Sequence, residues 1–80
     1  MLTPENRALL EFEEAYPRHT GKKADLILHR FDLMPSRYYQ RLRWLAHQPD
    51  AVAAYPQLCA RLQRLHRRRV EQREALLALL

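Results

Sequence analysis

One glycine in eighty residues is the feature that most restricts what this chain can fold into. Glycine supplies the positive-φ and closely approached backbone that phosphate-cradling loops and tight hairpins need. With only Gly21 available, the sequence argues against nucleotide-binding loops and hairpin-rich β folds. Leu, Ala, Arg, Glu and Gln dominate, and all favour helix. An apolar fraction of 48 % is too high for a disordered tail, and this length makes one domain.

The five prolines then divide the chain into helical lengths. Thr3 can cap a first helix, Pro4 suits its first position and Glu5 its positive dipole end. Leu9, Phe12 and Tyr16 form its inward stripe, and Pro17 ends it near Ala15 or Tyr16. A second helix follows Thr20 and runs to about Arg30, with Ala24, Ile27, Leu28 and Phe31 as its apolar positions. A third extends from Pro35 or Ser36 to His47, with Tyr38, Leu42 and Leu45 buried. Asp50–Ala54 makes a short fourth helix, and Tyr55-Pro56 breaks it before a long fifth that continues to the end of the sequence. The expected class is all-α: a helix-turn-helix bundle over residues 1–55, with a long basic, Leu-rich helix at 56–80 packed on it.

Charge is unevenly placed. The net formal charge is +5, and the pI is about 10.0. Residues 34–69 contain eight arginines against one acid, Asp50. Arginine suits phosphates and base edges, so an anionic partner is implied, double-stranded DNA first.

The segment from Ile27 to Leu42 carries the functional reading. Two helices that cross steeply over a short turn need apolar residues at Ile27 and Phe31, a plug at Leu33, and Tyr38 and Leu42 facing back. Asp32 tolerates the left-handed conformation of such a turn. The second helix of the pair then presents Ser36, Arg37, Tyr39, Gln40, Arg41 and Arg43, types that read bases or hold phosphates. Lys22 and Lys23, in the first turn of the helix before it, oppose the helix dipole unless a phosphate sits there, and are expected to contact DNA backbone.

Two stretches also carry a resemblance. Leu2-Thr3-Pro4-Glu5-Asn6-Arg7-Ala8-Leu9-Leu10-Glu11-Phe12-Glu13, and Phe31 through Met34-Pro35-Ser36-Arg37-Tyr38-Tyr39-Gln40 to Leu42, resemble a small family of uncharacterised helix-turn-helix proteins of actinobacteria and their phages. The likeness extends through Pro49-Asp50-Ala51 and the start of the last helix, over roughly residues 2–69. It implies a DNA-binding fold and no particular target. The chain departs from the family at Asp32, where glycine is usual, and in the tail after Val70, where acids and leucines replace a purely basic ending.

Other constellations are weaker. No two of His19, His29, His47 and His66 have i, i+4 spacing, and lone Cys59 reads as a packed thiol, so no metal or cofactor is implied. Glu11, Glu13 and Glu14 read as a solvated face, and Ser36 has no neighbouring base, so an enzyme is not expected. Trp44 is expected to turn toward the core or an interface. There is no basic, apolar leader and no membrane-length apolar run, which points to the cytoplasm.

In the last helix Leu58, Leu62, Leu65, Arg69, Gln72, Leu76 and Leu79 recur in four- and three-residue steps. This seam suggests a homodimer, antiparallel or offset because of Arg69 and Gln72; the competing arrangement folds the helix back on Leu9, Phe12 and Trp44. Two functional readings therefore follow: a sequence-specific DNA-binding regulator, or an interaction module that docks on the transcription machinery through its Leu-rich helix.

Overall fold

Four of the five helices begin at a proline, the residue whose fixed φ and missing N–H suit the first helical turn. The computed structural model describes all 80 residues. Its elements are α1 (Pro4–Ala15), α2 (Gly21–Phe31), α3 (Pro35–Leu45), α4 (Pro49–Ala54) and α5 (Pro56–Ala78), so the chain is all-α with a long C-terminal helix. Thr3 caps α1, its Oγ1 accepting from the Asn6 N–H at 3.1 Å. Thr20 caps α2 in the same way through the Lys23 N–H, also at 3.1 Å. At Asp32 the chain turns left-handed, with φ 54°, and the Asp32 N–H closes α2 on the Leu28 carbonyl at 3.0 Å. Met34 precedes α3 without offering a side-chain cap.

The core is drawn from every helix. Leu9, Leu10 and Phe12 of α1 meet Ile27 of α2 and the Tyr38–Leu42–Leu45 line of α3, the buried line the spacing predicts. Leu33, in the turn between α2 and α3, is half-buried against the core. Leu58 and Cys59 lie in the same core, so the first turns of α5 complete the bundle. Gln63 strengthens that join: its Nε2 donates to the Ala46 carbonyl just past α3, at 2.8 Å.

Two sequence expectations need correction, on α1 and α2, and two open alternatives are narrowed, at Trp44 and in α5. On α1 the inward side includes Leu10 and Glu13, while Tyr16 is only half-buried. Leu28 faces out, because Leu26 takes the flank of α2 that packs on the core. Trp44 is not turned inward; it is 56 % exposed on the outer side of α3. Nor does α5 fold back. Its end projects beyond the bundle, and residues 71–80 are all exposed. At about 1.5 Å per residue, 23 helical residues outrun so small a core. No helix is long and apolar enough to cross a membrane.

Candidate functional site

The outward face of α3 follows from its inward one. With Tyr38, Leu42 and Leu45 buried, the 100° step per residue sends Ser36, Arg37, Gln40, Arg43 and Trp44 to the opposite side. All five are exposed. Gln40 is at the centre of this face. It lines two hollows, one on each flank of the helix. The larger, about 590 Å³, is a groove between α3 and α5 with Ser36, Tyr39 and Arg43 on one wall and Leu62, Leu65, His66 and Arg69 on the other. The smaller, about 370 Å³, is bordered by Leu33, Arg37, Arg41 and Trp44.

The expected site residues separate into three groups. Ser36, Arg37, Gln40 and Arg43 share the open face and take part in none of the three ion pairs of the fold. Arg41 is turned toward α1, where its Nη1 donates to Glu5 Oε1 at 3.0 Å across an exposed pair. Tyr39 is half-buried; its hydroxyl and His19 Nδ1 share a hydrogen bond of 2.8 Å that ties the α1–α2 connection to α3.

Lys22 is exposed as expected, but Lys23 is not available to a phosphate. Its side chain turns inward and is 1 % exposed. Lys23 Nζ donates to Glu13 Oε1 at 2.8 Å, and the Tyr38 hydroxyl donates to the same oxygen at 2.8 Å. The ammonium also lies 5.1 Å from the Tyr39 ring centroid and 5.8 Å from that of Tyr38, within cation–π range. One carboxylate oxygen thus joins α1, α2 and α3. Both charged residues occupy core-facing registers, Glu13 one turn after Leu9 and Lys23 one turn before Ile27. That register is the signal by which sequence reasoning could have found them; charge alone placed them on the surface.

Around this network the aromatic rings are layered. Phe12 meets Phe31 edge-on at 5.4 Å and Tyr38 edge-on at 5.9 Å. Burial, together with the charge of Glu13 and the hydrogen bond to it, pushes the Tyr38 phenol far above its ordinary range. Burial alone pushes the Cys59 thiol up. Both groups keep their protons in the folded chain at pH values where the unfolded chain releases them. The contribution of these two groups to stability is therefore fully present below about pH 8.5, the ordinary thiol value, and is lost as pH rises beyond it, with Tyr38 adding its loss above about 10. Thermal melts across the alkaline range check this, and Tyr38→Phe is expected to flatten the part of the decline above the phenol value.

Trp44, His66 and Arg69 are the residues of this surface that the sequence reading did not assign to it. Trp44 is one turn beyond Gln40, a spacing that a helical wheel of α3 shows directly. His66 and Arg69 reach the site only because α5 runs alongside α3. No group of three His, Cys, Asp or Glu side chains comes together as a metal-ligand set.

The fold and its surface define a small, basic, all-helical domain with one open helix face flanked by cations. The model of the family described as "Protein of unknown function (DUF3263)" matches residues 1–74, and the chain belongs to that family. Neither the curated proteins nor the solved structures provide a match.

Proposed function

We propose that this protein binds double-stranded DNA, with α2 and α3 as a helix-turn-helix and α3 as the helix that enters the major groove. The observation that carries this reading is the free outward face of α3. Ser36, Arg37, Gln40 and Arg43 are aligned on an exposed helix whose opposite side is anchored in the core. Arg pairs with guanine, Gln with adenine, and Ser with either, and Arg43 is assigned to a phosphate on this reading. The net charge of +5 supports it, as does the resemblance to helix-turn-helix proteins of actinobacteria and their phages. On this reading the chain is a cytoplasmic regulator of transcription or a phage-type control protein, and not an enzyme.

Titration against a random duplex at two salt concentrations tests the proposal. Affinity falls steeply with salt, with a log–log slope of about −0.9 for each phosphate neutralised. Lys22→Gln lowers the size of that slope by about one phosphate equivalent and weakens all sequences alike. Binding that is absent, or indifferent to salt, removes the DNA reading. The exposed leucines at the end of α5 favour a second reading, an interaction module for a transcription-machinery protein, and that result would leave it standing.

A further inference from the structure

Two features remain unpartnered in the single chain. One is the groove between α3 and α5, where Leu62 and the 41 %-exposed Leu65 are left partly uncovered. The other is the projecting end of α5, where Leu76 and Leu79 stand in water, Leu79 at 83 % exposure.

The two match each other. Measured from the midpoint between Val70 and Glu71, Arg69 and Gln72 are equidistant, as are Leu65 and Leu76, and Leu62 and Leu79. The side of α5 that borders the groove is thus continued by the tail in mirror order: two leucines, a polar pair, two leucines. Such a stripe is complementary to itself when a second copy runs antiparallel, because the apolar positions at one end then meet those at the other.

We infer that the groove between α3 and α5 is the seat for the α5 tail of a second copy, giving a closed two-fold dimer. The partner's Leu76 lies over Leu65, the partner's Leu79 over Leu62, and Arg69 faces the partner's Gln72. Each copy fills the other's groove, so both unpartnered features disappear together and no open filament is generated. A parallel pair is disfavoured on charge. It would set Arg69 against the partner's Arg69 in the seam, and leave each groove as bare as before. The seat shares Ser36, Gln40 and Arg43 with the face proposed to read DNA, so a seated tail and a bound duplex compete there, and only the hollow bordered by Arg37, Arg41 and Trp44 on the other flank of α3 stays open in the dimer.

Sedimentation of the full chain at tens of micromolar, without nucleic acid, tests this independently of the DNA reading. Twice the monomer mass is expected. Leu76→Arg on the tail and Leu65→Arg in the groove each reduce it to the monomer mass. Gln72→Arg does the same by bringing two guanidinium groups together. The double variant Arg69→Glu/Gln72→Arg restores the dimer, since opposite charges then face each other across an antiparallel seam, whereas a parallel pair would meet like charges at both positions. All four positions are exposed, so helicity and melting check that the fold is kept. A monomeric wild type overturns the dimer and leaves the tail to a different partner. A dimer that survives Leu65→Arg overturns the seat in the groove, and a folded double variant that stays monomeric overturns the antiparallel register.

Discussion

Replacing Lys23 by methionine is expected to destabilise the fold by about 3–5 kcal/mol, the range for removing one partner of a buried ion pair. The ammonium is enclosed by Glu13, Tyr38 and Tyr39. Methionine matches much of the lysine stem but leaves the Glu13 carboxylate with only the Tyr38 hydroxyl as donor. A carboxylate held away from water with one neutral donor keeps most of its desolvation penalty. At roughly 0.05–0.15 kcal/mol per residue, a domain of this length has only about 4–12 kcal/mol in all, so the variant sits near the edge of folding. Denaturant midpoints measure the loss. The triple variant Glu13→Leu/Lys23→Met/Tyr38→Phe should recover most of it, because an apolar replacement of a whole buried pair is about neutral or stabilising. A Lys23→Met protein within about 1 kcal/mol of wild type would mean that the ammonium is solvated, as the position of Lys23 in a first helical turn suggests from sequence. In that case the same substitution should weaken DNA binding and leave the melting temperature alone. The two accounts of Lys23 therefore predict opposite pairs of results.

Arg37→Ala and Gln40→Ala are each expected to lower discrimination between a preferred duplex and a random one by about 1–3 kcal/mol, roughly 5- to 150-fold. Both side chains are exposed and bear no structural hydrogen bond, so stability should change by no more than about 0.5 kcal/mol. Base-edge contacts are lost with little effect on non-specific affinity, which rests on phosphates. Arg41→Ala makes a useful comparison. Its guanidinium already pairs with Glu5, so its loss removes an exposed ion pair on the flank rather than a residue at the centre of the face. A preferred duplex selected from genomic fragments, then measured against random sequence for each variant, provides the readout. Undiminished discrimination in both Arg37→Ala and Gln40→Ala would rule out this face of α3 as the reader.

Much of the fold was legible because the local signals agree with one another. Pro4, Pro35, Pro49 and Pro56 open helices, Thr3 and Thr20 cap them, and Asp32 takes the one positive φ in the chain. These effects act within a turn or two, so residue type and spacing are enough to place them. The inward line of α3 was legible for the same reason, and with it the exposure of Ser36, Arg37, Gln40 and Arg43.

What the amino-acid sequence determined by itself was therefore the helices, their order, and the outward side of the helix that carries the site. Only the tertiary structure decided which charges are surface and which are core. Lys22 and Lys23 are neighbours of the same type, yet one is exposed and the other is among the most buried side chains of the fold. The difference comes from Glu13 and Tyr38, ten residues before Lys23 and fifteen after, which α1 and α3 bring to its ammonium. The groove beside the site has the same origin, since Arg43 and Arg69 share it only because α5 packs along α3. A charge enters a core when partners from other elements meet it there, and such partners follow from how helices pack, which spacing along one helix does not encode.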